Sequence, residues 1–272
     1  MKRLLYSALI IVSSIMSAYA VEPEVAHSYA WRALPTLGTH QTVEIDTLLF
    51  NYAQKFVPSA QASAYATTGN FGGPGETLIF FNRKPCSDFF FRDAISNWIP
   101  SAEKMAFYNT RIPMTLLAYN FGGSKQTAQD RLSLNFSGNA TKQIQVGVIA
   151  DYLHSKGSYA NQSAKNLTWG LSGSYIGDRY QFQGYYYHYN IINLENGGIE
   201  DDLYITDPAE IQGGITSVDT KIIPTRLTQA SSRVVGGQLF LNNKYNLGFY
   251  RDVELEEFPD SIVTEFVPVT SI

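Results

Sequence analysis

The sequence predicts an all-β protein, an antiparallel transmembrane β-barrel. Three observations carry this expectation. Four successive segments between Arg131 and Tyr189 alternate apolar with small polar residues, so that each segment has one face of each kind. Each runs to about 9 to 12 residues, the length of a tilted strand crossing a bilayer rather than the roughly 5 to 6 of a soluble strand. The connections alternate tight and long, and 18 Tyr, 16 Phe and 21 Gly stand beside only 16% charged residues, a balance that favours strands over helices.

In chain order, Met1 to Ala20 reads as a secretory signal peptide. Lys2 and Arg3 precede an apolar run from Leu4 to Met16, and Ala18, Tyr19 and Ala20 form a small-x-small site for cleavage after Ala20. That run is too short for a membrane helix, and no later stretch reaches the roughly 20 apolar residues one needs. Residues 21–58 carry Pro23, Pro35 and Pro58 without a sustained period and read as an irregular periplasmic lead. The barrel portion is expected over residues 59–272. Ala62–Thr68 and Glu76–Arg83 are short strand candidates around a Gly- and Pro-rich connection, followed by Phe107–Thr110 and Thr115–Phe121.

The four clear strands come next. Leu132, Leu134, Phe136 and Gly138 oppose Ser133, Asn135, Ser137 and Asn139. Ile144, Val146, Val148, Ala150 and Tyr152 oppose Gln143, Gln145, Gly147 and Asp151, and Leu167, Trp169, Leu171, Gly173 and Tyr175 oppose Thr168, Gly170, Ser172 and Ser174. In the fourth, Gln181, Gln183, Tyr185, Tyr187 and Tyr189 share a face. Ile149, Leu153 and Ile176 violate the polar inner face, which requires either a packed lumen there or a slipped register. Tyr152, Trp169, Tyr175, Tyr180 and Phe182 lie toward segment ends, where aromatic girdles form. Ser232 to Tyr250 is again extended.

Asn139–Lys142 and Gly177–Arg179 are tight connections, whereas Ser155–Asn166 and Asn190 to about Gln229 are long. Outer-membrane barrels keep short turns in the periplasm and long loops outside, so parity puts the chain's N-terminus in the periplasm. The stretch Asp252–Glu265 runs against the rule, being long and acidic on the periplasmic side.

Without Lys2 and Arg3 the chain has 18 basic and 24 acidic residues, a net charge of about −6, which argues against a nucleic-acid partner. Cys86 is the sole cysteine and excludes an intrachain disulfide. His27, His40, His154 and His188 have no metal-ligand spacing, so no metal and no cofactor are expected. The acidic run Glu195, Glu200, Asp201, Asp202 and Asp207 matches no calcium loop and reads as a solvated loop. Gly170-Leu171-Ser172-Gly173 lacks the strand-to-helix context of a nucleophile elbow. The reading is therefore non-enzymatic, with Ser172, Ser174 and His188 as the candidates for the alternative of a barrel lipid hydrolase. Asp46-Thr47-Leu48 and Asp260-Ser261-Ile262 match a bacterial O-glycosylation pattern, making Thr47 and Ser261 candidate acceptors.

Several blocks recur in a known order: Ala30-Trp31-Arg32, Ile79-Phe80-Phe81-Asn82-Arg83, Phe107-Tyr108-Asn109-Thr110, Gly122-Gly123-Ser124-Lys125-Gln126, Glu195-Asn196-Gly197-Gly198-Ile199, Ile223-Pro224-Thr225-Arg226-Leu227 and Tyr245-Asn246-Leu247-Gly248-Phe249-Tyr250-Arg251. In these the chain resembles the bacterial putative-porin family of outer-membrane barrels over nearly its whole mature length. Members it resembles are more than twice as long, so the chain reads as an N-terminal portion whose last strand is unfinished at Ile272, and the barrel is expected to be incomplete, an open curved sheet.

The resemblance implies a Gram-negative outer-membrane protein, exported with periplasmic chaperones, inserted into outer-membrane lipid by the assembly machinery and able to form a homo-oligomer. Its expected role is passive diffusion of small hydrophilic solutes. Ser133, Asn135, Gln145, Asp151, Thr168, Ser172, Gln181, Gln183, Tyr185 and Tyr187 are the candidate pore-lining residues. Asp151 is nearly the sole inward charge, and weak ion selectivity follows. The tyrosines could stack sugars, narrow the pore or fill it. The alternative outside the membrane is an exported β-sandwich that binds glycans, with the same alternating faces packing a core.

Overall fold

The computed structural model describes residues 28–34, 40–45, 64–83, 85–100, 105–255 and 258–271. The signal-peptide region, Thr47 and most of the lead lie outside these residues. The described part is dominated by one seven-stranded antiparallel sheet. Its strands are β6 (Met114–Gly122), β7 (Gln129–Asn139), β8 (Ile144–Lys156), β9 (Ser163–Ile176), β10 (Tyr180–Glu195), β11 (Ala230–Leu255) and β12 (Phe258–Ser271), in strictly sequential order. The sheet is open, with β6 and β12 at its edges.

The register follows the alternation read from the sequence. Directly opposed residues share a face, and the pairings line up in rows across the sheet. One row runs Ala118, Ser133, Asp151, Thr168, Tyr189, Gly236, and the next Leu116, Asn135, Ile149, Gly170, Tyr187, Gln238. These belong to the inner face. On the other face Leu117, Leu134, Ala150, Trp169, His188 and Gly237 form a row, and Thr115, Phe136, Val148, Leu171, Tyr186 and Leu239 the next.

The outer face is apolar and exposed. Leu117, Val146, Leu171, Leu239 and Leu241 are among its exposed side chains, with Tyr152, Trp169 and Tyr180 toward the two ends. From Ile144 to Tyr152 is about 26 Å along a strand, which a tilt of roughly 40°, as in membrane barrels, would project to about 20 Å. Among the outward residues of β6 to β10 and of β11 up to Tyr245, charge is confined to Asp130, Lys156, Lys165 and Arg233 at one end. A β-sandwich would cover such a face with a second sheet, and no described element does.

The inner face is covered instead, by the N-terminal third. β1 (Tyr29–Ala33) pairs with β2 (His40–Val43) and with β5 (Ala106–Asn109) in a three-stranded sheet. β3 (Tyr65–Thr67) and β4 (Gly75–Thr77) form a small hairpin, and Phe90–Trp98 is a 3-10 helix. The lead expected to be irregular thus holds two paired strands. They are too short to show a period, and they persist because Trp31 of β1 buries against the large sheet. Glu76–Arg83 is likewise not one strand, since the chain turns into a 3-10 turn at Phe80–Asn82.

Trp31 and Phe107 stack at 5.9 Å and form a core with Ile95, Tyr185, Tyr187, Tyr189 and Ile191. Each large side chain buried this way contributes roughly 1.5 to 3 kcal/mol. Glycines of the wall make room for the rings. A Cβ on Gly170 would lie 2.9 Å from Tyr187 Cβ, and one on Gly236 would meet the Tyr189 ring at 2.6 Å. The three apolar exceptions on the inner face are explained by packing and not by a register slip. Leu153 is fully buried under the turn at Gly72, and Ile149 and Ile176 are half-buried on the same face.

Two boundaries differ from expectation. The connection between β8 and β9 is only residues 157–162, closed by Gly157 N–H donating to Gln162 O at 2.9 Å, because the ladder continues outward through Ser155–Ala164 and Lys156–Ser163. The stretch expected as a long acidic periplasmic loop is mostly strand. β11 and β12 pair through Asn246–Leu255, beyond the end of β10, with register breaks after Leu247 and Glu254. Pro268 of β12 sits at the first break, where an edge strand tolerates a residue with no N–H to donate. Ser261 falls within the second break.

Candidate functional site

The candidate site is the inner face of the large sheet and what packs on it. All ten residues assigned to the lumen fall on this face, because they share parity along strands whose register is continuous. They do not share one environment. Ser133, Asn135, Asp151 and Thr168 line a cavity of about 270 Å³ beneath Trp98 and Ile99. Gln181 and Gln183 line a smaller one of about 140 Å³ at the tight-turn end, together with Trp31, His40 and Lys244.

Between the two cavities lies a buried polar ladder. Gln145 Nε2 donates to Ser137 Oγ at 2.8 Å, and Ser174 Oγ donates to Gln145 Oε1 at 3.2 Å. Ser172 is in the adjoining row, opposite Gly147 and Tyr185. Tyr185 and Tyr187 face inward but are buried, their rings stacked at 5.8 Å and Tyr185 also stacked on Phe240 at 5.2 Å. Trp31 of β1 and Phe107 of β5 share one buried core with these tyrosines.

The larger cavity is organised by a pair that sequence reading only half identified. Arg131 lies on the same face as Asp151, two residues before Ser133, and is fixed to it as a fork. Arg131 Nε is 3.0 and 3.1 Å from the two carboxylate oxygens, and Arg131 Nη2 donates to Asp151 Oδ2 at 2.7 Å. The guanidinium stands 5.5 Å from the Trp98 ring centre, a distance at which cation–π attraction acts. Asp151 is therefore no lone inward charge. The parity signal was present, because Arg131 precedes Ser133 by one full strand period.

The N-terminal segment is tied to the wall at both ends. At the tight-turn end Trp31 Nε1 donates to Gln183 Oε1 at 2.8 Å, and Asn139 Nδ2 donates to Asn109 Oδ1 at 2.6 Å. At the other end Ser155 Oγ donates to Asn70 Oδ1 at 2.6 Å, Asn166 Nδ2 to Gly72 O at 2.9 Å and Gln162 Nε2 to Thr68 O at 2.7 Å. Trp98 Nε1 closes the set on Gly73 O at 2.9 Å. Gly72, at φ +89°, has the left-handed backbone that this approach requires, and a Cβ there would lie 2.3 Å from Leu153 Cδ2.

A family model for putative porins matches residues 27–272. The chain belongs to the putative-porin family. No curated protein and no solved structure matched the chain. For this porin-family chain, membership supports a porin-like role in general, and its sheet has the two unlike faces such a role needs.

Two other sequence readings acquire geometry. Ser172 and Ser174 face inward, whereas His188 faces outward beside Trp169, their ring centres 6.0 Å apart. A base on the opposite side of the sheet cannot take a proton from either serine. In the long loop, Asp201 Oδ1 accepts from Leu203 N at 2.9 Å and Asp207 Oδ1 from Glu210 N at 3.3 Å. Asp207 thereby caps the one-turn helix α2 (Pro208–Ile211), whereas Asp201 closes a turn over two residues ahead of α1 (Leu203–Thr206), whose own N-cap is Asp202. The loop folds over the 157–162 connection, with Lys221 Nζ donating to the carbonyls of Gly157 and Tyr159. Burial lowers the Lys221 ammonium from its usual value, against the opposing pull of Asp219.

Proposed function

We propose that this chain forms the lipid-facing wall and the lumen filling of an outer-membrane porin through which small hydrophilic solutes diffuse passively. The observation that carries the reading is the contrast between the faces of the sheet. Outside is a membrane-thick apolar band with charge only beyond its end. Inside are amides and hydroxyls around the Arg131–Asp151 ion pair, a packed aromatic portion and, at the tight-turn end, Lys244. A single Lys or Arg on the lipid face at midplane would cost roughly 2 to 4 kcal/mol, and the band has none.

In this reading the signal peptide directs export, periplasmic chaperones and the outer-membrane assembly machinery deliver the chain, and tight turns face the periplasm. Solutes pass beside Ser133, Asn135, Asp151 and Thr168 and not through the tyrosine-filled portion. The role is non-enzymatic. Pairing of Asp151 with Arg131 gives the path no net fixed charge, which favours weak ion selectivity. The test is planar-bilayer recording of the purified full chain. Discrete conductance steps with a cation-to-anion permeability ratio near one are expected, and an absence of conductance would overturn the proposal.

A further inference from the structure

The charge at one end of the apolar band is basic and clustered. His154 of β8 is paired with Lys165 of β9, Lys165 with Ile192 of β10, and Ile192 with Arg233 of β11. These residues occupy one row on the outer face, immediately beyond the row of Tyr152, Leu167 and Val235. Lys156 is paired with Ser163, which places it diagonal to Lys165 on the same face, about 7 to 8 Å away by sheet geometry. Lys165 and Arg233 are two strands apart, about 10 Å between backbones. Both are exposed.

Arg233 holds its Nε against Asn190 Oδ1 at 2.9 Å, which leaves its two terminal nitrogens directed to other acceptors. The carboxylate in the row, Asp130, is paired with His154 and lies two strands from Lys165 on the side away from Arg233. The row is at the loop end of the strands, opposite the tight turns. On the reading above, that end meets the outer leaflet at headgroup depth.

We propose that Lys165 and Arg233, assisted by Lys156 and His154, form a binding site for the phosphate groups of a phosphorylated glycolipid in the outer leaflet. Three features support this chemistry. The cations face lipid and not the lumen. On their own strands they lie one row beyond Tyr152, Leu167 and Val235, with Phe121 and Ile192 in the same row and Leu194 one row further out, at the border where a lipid's phosphates begin. They stand on β8, β9 and β11, with Ile192 of β10 between Lys165 and Arg233, in a ladder that fixes their spacing, and the Arg fork suits phosphate oxygens. Trp169, two rows deeper on β9, and Leu167 between them offer the acyl chains of the same lipid a continuous apolar track.

The site rests on the porin reading, and its test separates the two. The full chain in detergent is incubated with lipid A, and retention is followed by native mass spectrometry. Phosphatidylcholine and inorganic phosphate serve as comparison arms. The wild-type chain is expected to retain lipid A at least tenfold over phosphatidylcholine. Lys165→Gln with Arg233→Gln should reduce retention about tenfold, and Lys165→Arg should keep it. Equal retention by the double variant, or equal affinity for phosphatidylcholine, overturns the site, as does displacement of lipid A by millimolar phosphate. The same preparations are recorded in planar bilayers. Conductance without lipid A selection defeats the glycolipid site alone, and failure to insert defeats both proposals.

Discussion

Replacing Arg131 with glutamine leaves the Asp151 side chain beside the larger inner cavity with its partner gone. Two consequences can be sized. Removing one partner from a fully buried ion pair costs about 3 to 5 kcal/mol, and an exposed pair is worth no more than about 1 kcal/mol. The Arg131 and Asp151 side chains are 17% and 30% exposed, so the destabilisation should be about 2 kcal/mol. The second consequence is electrical. An ion passing about 6 Å from an uncompensated carboxylate gains about 0.7 kcal/mol in water and about twice that where the wall halves the effective dielectric. An anion loses as much as a cation gains, so cation over anion permeability should rise about ten- to a hundredfold. The assay is the reversal potential of the full chain in planar bilayers under a potassium chloride gradient. Asp151→Asn should move the potential the opposite way, by exposing Arg131, and the double variant should return near the wild-type value. If the single variants leave the reversal potential unchanged, the conducting path does not pass this pair and the placement of the lumen is wrong.

Three further outcomes are expected. Leu171→Arg puts a cation in the middle of the exposed outer face and should lower stability in lipid by about 2 to 4 kcal/mol while leaving inner contacts intact, which chemical denaturation in lipid vesicles would register. Gly72→Ala meets both a positive φ and Leu153 Cδ2 at 2.3 Å, so the Thr68–Gly73 turn should lift from the wall at a cost of about 1 kcal/mol or more, with faster amide exchange at Asn70–Gly73. Hydrogen bonds from the Ser87 hydroxyl and backbone N–H hold the Asp93 carboxyl below the usual carboxylate range. A depressed folded-state pKa means stability that is present above the unfolded-state value and lost as pH falls through the folded one. Amide protection factors over Ser87–Asp93, with the intrinsic pH dependence of exchange divided out, should therefore be flat at neutral pH and fall only in acid, and Asp93→Asn should remove the acid dependence.

The wall was legible in the sequence because a strand writes its faces into alternate residues. Ser133, Asp151 and Thr168 were placed together by parity alone, and the ladder joins them directly. The exceptions at Ile149, Leu153 and Ile176 announced that part of the inner face is packed, but not by what. The filling segment was illegible for a physical reason. Its strands are three to five residues long, too short for a period, and what holds them is distant. Trp31 and its acceptor Gln183 are 152 residues apart, and no local pattern encodes such a contact. Arg131 was readable in principle, since it shares parity with Ser133, but it stood at the edge of the first segment.

The sequential order of the strands from β6 to β12 has a consequence for how the molecule is made. Each strand pairs with the one just synthesised, so the wall can zip hairpin by hairpin with little chain to close at any step. The filling segment is synthesised earlier yet has nothing to dock on until β8, β9 and β10 exist, because its anchors are Ser155, Asn166 and Gln183. Its few short strands therefore wait for the template, and closure of the interior is the late event in assembly.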